Sequence, residues 1–209
     1  MKLVCPTITA ENPHVYREQI ERVQTFVNHV HLDLMDGVFT SNKSIDLEQL
    51  WMPDTMTCDV HPMYKNPDRA IDELEKLSIR TVIVPAEAET NFAHLKKRLA
   101  DAGIQFGIAL LAQTSVDDAQ SAICLADHVL IFSGNLGHQG GSTAELKLLE
   151  KIPQILKLNP SVEIGWDGGV NLDNISQISG AGVSIINSGG FVQFAADPAS
   201  AYHSLKSPI

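Results

Sequence analysis

The segment Val30-His31-Leu32-Asp33-Leu34-Met35-Asp36-Gly37 reads as a β-strand running into a turn. Successive strand side chains point to opposite faces, so His31, Asp33 and Met35 share one face while Leu32 and Leu34 share the other. If the leucines pack against helices, His31 and Asp33 face inward. Seven other short aliphatic runs have the same character: Lys2–Ile8, Met56–Met63, Thr81–Pro85, Gln105–Leu111, His128–Ser133, Val162–Asp167 and Ser184–Ser188. Most are followed by turn residues. Between them lie stretches with helical spacing: Val15–Phe26, Pro67–Leu77, Phe92–Ala102, Ser115–Leu125, Thr143–Leu158, Leu172–Ser179 and Pro198–Leu205. Asn66 before Pro67 reads as an N-cap, and Gly103 as a C-terminal stop. Ile45–Leu50 reads equally as a short helix or a loop.

Strands alternating with helices imply parallel βαβ units. Eight units in 209 residues leave about 26 residues each, enough for one strand, one helix and two short connections. The expectation is an α/β fold, a single compact (β/α)8 (TIM) barrel domain over residues 1–209, with no room for an inserted domain.

Composition narrows the function classes. At 44% hydrophobic and 19% charged, the chain is neither disordered nor a disulfide miniprotein. No apolar run reaches the ~18 residues of a membrane span, and no signal-peptide pattern opens the chain. A net charge of −10 argues against general affinity for nucleic acid or an anionic membrane. Any anionic ligand must be held by local groups. Cys5, Cys58 and Cys124 are odd in number and widely spaced, which fits a reducing cytoplasm and offers no Cys-x-x-Cys pair.

In a barrel of this kind, chemistry sits at the C-terminal ends of the strands. The same alternation places Asp59, His61 and Met63 on one face of the third strand, and points Asp167 inward opposite an outward Trp166 on the seventh. A lone strand histidine is more often a hydrogen-bonded core residue, and a lone Asp before Gly a turn residue. The shared parity of His31, Asp33, His61 and Asp167 makes them a candidate first shell for one divalent ion, Zn, Fe(II), Mn or Co. Asp33 and Asp167, on opposite faces of a substrate, could take and return a proton beside a carbonyl, with a metal stabilising the enediolate. Met35 and Met63 lie just beyond the ligands. Gly137, Gly140 and Gly141 follow strand six, Gly168 and Gly169 follow strand seven, and Ser188-Gly189-Gly190 follow strand eight. Any one glycine pair is simply a turn. The loops after strands seven and eight together are the recurrent phosphate site of such barrels.

The motifs at 31–37, 59–63 (Asp-Val-His-Pro-Met) and 166–170 (Trp-Asp-Gly-Gly-Val) resemble the ribulose-phosphate 3-epimerase family, in order and spacing, over nearly the whole chain. Pro6-Thr7-Ile8 resembles that family's Pro-Ser-Ile start, and Ala181-Gly182 with Ser188-Gly189-Gly190 its last phosphate loop. The resemblance implies a homo-oligomeric barrel that interconverts ribulose 5-phosphate and xylulose 5-phosphate. It implies one metal on His31, Asp33, His61 and Asp167, with Asp33 and Asp167 as the acid–base pair. It also implies methionines 35 and 63 beside the intermediate, and Thr7 and the late glycines against the substrate. The periphery departs from the family. Asn135-Leu136-Gly137-His138-Gln139-Gly140-Gly141 stands for Asn-Pro-Gly-Phe-Gly-Gly-Gln, Phe132 for a Met, Gly165 for a Glu, and Val38 for a His. Pro85 and Glu87 stand for His and Glu after strand four, and Leu111-Ala112 for Asn-Pro after strand five. Another ketose phosphate such as allulose 6-phosphate, or a non-catalytic sugar-phosphate-binding role, therefore stands as the alternative. A decarboxylase or aldolase reading lacks the Asp-x-Lys pattern it would need.

Overall fold

A computed structural model describes residues 2–209. Eight parallel strands close into a barrel in sequence order: β1 (Leu3–Thr9), β2 (His29–Met35), β3 (Thr57–Met63), β4 (Ile79–Pro85), β5 (Gln105–Leu110), β6 (His128–Phe132), β7 (Glu163–Asp167) and β8 (Ile185–Ser188). Closure runs through β1 and β8, with Cys5 opposite Asn187. The strand boundaries fall within two residues of those expected from the sequence.

The barrel works because each strand is apolar outward. Leu32, Leu34, Val60, Val82, Ile108, Ile131, Trp166 and Ile186 belong to one continuous core packed beneath the helices. The inward face carries the polar residues, with a small apolar layer of Ile83, Ala109 and Leu130 at mid-height. Burying polar side chains inside a barrel is costly without partners, and the two ends of this interior solve that problem differently.

The helices are α1 (Pro13–Val23), α2 (Ile71–Leu74), α3 (Phe92–Asp101), α4 (Gln120–Leu125), α5 (Lys151–Leu158), α6 (Ile175–Gly180), α7 (Gly190–Gln193) and α8 (Pro198–Lys206). Several are shorter than the spacing predicts. The Pro67–Leu77 stretch splits into a 3-10 turn at Pro67–Arg69 and the single turn of α2, and Asn66 makes no capping bond. The side chains that do cap are Asn12, Asn91 and Asp197. Residues 116–119 stay as turns, with the Asp118 amide bonded to Ser115 Oγ, so α4 begins only at Gln120. The Thr143–Leu158 stretch becomes a 3-10 segment, Leu146–Glu150, followed by α5. Pro153 has no N–H to give, so it fits only in the first turn of a helix, which sets that start at Lys151. Ile45–Leu50 resolves into a 3-10 turn at Leu47–Gln49, so β2 and β3 are joined without an α-helix. Gly103 ends α3 with φ +75°, as expected. Among the described residues no helix is long and apolar enough to cross a membrane.

Candidate active site

Four side chains from three strands converge at the C-terminal end of the barrel. His31 and Asp33 come from β2, His61 from β3 and Asp167 from β7. One ligand atom from each lies within 4.8 Å of all the others, and all four residues are buried. Asp33 Oδ1 is the hub, 3.2 Å from His31 Nε2 and 3.3 Å from His61 Nδ1. These approaches are off the hydrogen-bonding direction. Both nitrogens of each histidine, and Asp33 Oδ1, are buried without a hydrogen-bond partner. An orphaned buried polar atom costs roughly 1–3 kcal/mol, and five in one cluster mark a site shaped for something besides the chain. Two imidazoles and two carboxylates are the donor set of a borderline divalent cation, so the residues present fit such an ion.

Neighbours set the second carboxylate oxygen and the charge states. Thr9 Oγ1 donates to Asp33 Oδ2 at 3.1 Å. Burial works against an ionised Asp33, but the adjacent imidazoles of His31 and His61 outweigh it and hold the carboxyl well below the usual range. Asp167 shows the reverse. Burial, reinforced by the charge of Asp33, pushes it up to about 7. The ring of Phe132 stacks edge-on to His61 at 5.7 Å between centroids and backs it from β6.

Above this cluster opens a cavity of about 260 Å³. Asp33 and Asp167 form part of its lining, with Thr7 and Met63 beside them and Gly137, Gly140, Gly141, Gly168, Gly169, Gly189 and Gly190 around the rim. Met35 faces a second cavity of about 380 Å³ instead, which shares Thr9, Gly137, His138, Gln139 and Phe194 with the first. Ser188 departs from expectation. It is buried, but strand alternation turns its side chain to the helix side, and Asn187 faces the cavity in its place. No lysine or arginine lines either cavity among the described residues.

The chain's residues 3–193 match the sequence profile of the "Ribulose-phosphate 3 epimerase family". The chain belongs to the ribulose-phosphate 3-epimerase family. It is 28% identical over 202 residues to a ribulose-phosphate 3-epimerase of Aquifex aeolicus (strain VF5), covering 91% of this chain and 90% of that one. It is 31% identical over 167 residues to one from Encephalitozoon cuniculi (strain GB-M1), covering 79% and 76%. These relatives are isomerases by name. Among solved structures, a 3-hexulose-6-phosphate synthase from Salmonella typhimurium superposes with a TM-score of 0.70 at 13% identity, covering 100% of this chain and 98% of the other. A phosphoribosyl anthranilate isomerase from Thermus thermophilus superposes at 0.68 and 10%, covering 99% of each chain. At such identities the likeness speaks to the barrel alone.

Several cavity residues escape the sequence reading. Thr9 shares the parity of Thr7, and that period-2 signal would have found it. Gln139, Phe194 and Asn187 carry no such signal. Gln139 donates to the Thr7 carbonyl at 2.9 Å and pairs with Gln19 of α1, which in turn clasps both the N–H and the C=O of Thr9 at 2.9 Å. Asn42, in the loop after β2, donates to the Gly137 carbonyl at 2.8 Å. The loop after β6 is thereby drawn across the mouth of the barrel.

Proposed function

We propose that this chain is a divalent-metal-dependent ketose-phosphate 3-epimerase, with ribulose 5-phosphate and xylulose 5-phosphate as its substrate pair. The observation that carries this reading is the convergence of two buried carboxylates and two buried imidazoles at one point, with five of their polar atoms unpartnered and both carboxylates on the cavity wall. Their surroundings push the two carboxyls in opposite directions, Asp33 down and Asp167 up. Carboxylates in unlike surroundings suit an acid–base pair. In this reading, one carboxylate removes the C3 proton of the ketose and the other returns a proton from the opposite side, so C3 inverts. Their roles exchange with the direction of reaction. A cation held by His31, Asp33, His61 and Asp167 supplies Lewis-acid charge against the negative charge that develops on the substrate oxygens. Thr9 orients Asp33 through its hydrogen bond. Met63 and Phe132 line the cavity and limit water at the reacting carbon.

The phosphate is assigned to the loops after β7 and β8. With no cationic side chain on the cavity wall, the dianion has backbone amides at Gly168, Gly169, Gly189 and Gly190 as its partners, and glycine lets the backbone come close. A hexulose 6-phosphate is the second reading, favoured by the adjoining cavity past Thr9 and Gln139.

Proton exchange tests the proposal. Protein loaded with Zn, Mn, Co or Fe(II) is incubated with ribulose 5-phosphate in deuterated water. Deuterium should enter at C3 as xylulose 5-phosphate forms, and chelation should stop both. If pentulose and hexulose phosphates bind but none exchanges its C3 proton, the chain is a sugar-phosphate-binding protein and the epimerase reading fails.

A further inference from the structure

Asn187 is the polar side chain of the cavity left without a role. It lies on β8, opposite Asp167 in the sheet register on one side and opposite Cys5 of β1 on the other. It is 1% exposed and lines the cavity, and neither its Oδ1 nor its Nδ2 has a hydrogen-bond partner. Leaving both ends of a buried carboxamide unsatisfied is expensive, because the group has lost its water and gained nothing. Its place along the strand is informative. Asn187 stands level with Asp167 and two residues below Gly189, about 6–7 Å along the strand. That is the interval between the carboxylate pair and the glycine rim assigned to phosphate.

We propose that Asn187 is a specificity residue that reads the free hydroxyl on the substrate carbon lying between the reacting centre and the phosphate-bearing carbon. This inference rests on the ketose-phosphate reading and refines it. A hydroxyl both donates and accepts, matching a carboxamide that offers one carbonyl and one NH2. A phosphate only accepts, so placing it here would aim Oδ1 at an anion. Thr7 Oγ1, also buried, unpartnered and on the cavity wall, is the neighbouring group from β1 that can complete the hydroxyl's contacts.

The test is calorimetric, on metal-loaded protein, with ribulose 5-phosphate and its 4-deoxy analogue as the two ligands. Wild type should bind the hydroxylated ligand about tenfold more tightly, the value of one buried neutral hydrogen bond. Asn187→Ala and Asn187→Gly should cut that preference to about threefold or less, the remainder being the Thr7 contact. A wild type without discrimination, or variants that keep it, would overturn the proposal. If one variant does not fold, the other and the wild-type ratio still decide. C3 exchange on the same samples separates the two readings. Discrimination reduced in the variants but no exchange in wild type leaves Asn187 standing and removes the epimerase. Normal exchange with discrimination retained in the variants does the opposite. Failure of wild type to bind either ligand removes both.

Discussion

Asp33 and Asp167 are the same residue type at similar burial, yet they are pushed in opposite directions. Asp33 has two imidazoles and the Thr9 hydroxyl around it, whereas Asp167 has chiefly burial and a neighbouring negative charge. Such a pair costs stability, because burial beside Asp33 penalises ionisation of Asp167. Asp167→Asn is expected to lose conversion of ribulose 5-phosphate to xylulose 5-phosphate by about 10³-fold or more, because one face of C3 loses its proton-transfer group. In the absence of metal its Tm should stay level or rise, since a neutral amide carries no such penalty. Differential scanning calorimetry and an assay of xylulose 5-phosphate formation measure the two effects. A variant keeping more than a tenth of the wild-type rate would place the acid–base group elsewhere.

At the scale of elements, the loops after β6 and β7 are built as a pair. A Cβ on Gly168 would stand 2.2 Å from the Gly134 nitrogen, and one on Gly169 would stand 2.0 Å from the Ala144 nitrogen. Both glycines also take positive φ, 110° and 68°. They permit backbone to lie on backbone, and this brings the β6 loop over the cavity. No flexible side chain can yield there. Gly169→Ala should cost about 3 kcal/mol, from overpacking together with the strained φ, or roughly 6–12 °C in Tm. Gly180→Ala is the matched control. It lies in α6 with open space around it, and its Tm should move by no more than about 2 °C. Equal melting shifts in the two variants would disprove the close-packing argument.

At the scale of the whole molecule, the barrel interior is polar at both ends, and at the N-terminal end an arginine pairs with the carboxylates. There, fully buried Asp59 accepts from Arg80 Nε at 2.8 Å and Nη2 at 2.5 Å, and His29 Nε2 lies 3.1 Å from its Oδ2. Arg80 continues to Glu163 at 2.9 Å, and Glu163 pairs with His128 Nδ1 at 2.8 Å. The His128 ring occupies the space that a side chain at position 165 would need, with a Cβ there only 2.5 Å from Nε2. That explains the glycine where the family usually has Glu. Burial opposes the charge on Asp59, yet His29 and Arg80 overcome it and hold the carboxyl well below its ordinary 3.8. Its stabilisation is therefore complete above about pH 4 and is lost as pH falls toward the depressed folded value. Glu163 is lowered in the same sense, with His128 and Arg80 outweighing its burial, and adds to the same acid window. Asp59→Asn should lower stability at pH 7 by about 3–5 kcal/mol, because Arg80 loses its buried partner. It should also flatten the decline of Tm between about pH 4 and pH 2. A variant with an unchanged acid slope would show that this network does not control acid unfolding.

By itself the sequence determined the barrel and its metal-type cluster, because both follow from a local rule. Strand alternation sends Leu32 and Leu34 one way and His31 and Asp33 the other, and the same parity repeats at His61 and Asp167. Helix lengths were legible only in part, since a Pro153 or a Ser115 turn competes with helical spacing over a few residues. What only the tertiary structure decided lies between residues far apart in the chain. Gln139 reaches Gln19 across 120 positions, Arg80 ties Asp59 to Glu163, and Asn187 rather than Ser188 faces the cavity. Those contacts depend on where loops cross and on which face a short strand presents at closure. No periodicity along the chain encodes that, because the energy that settles it comes from partners the sequence does not place side by side.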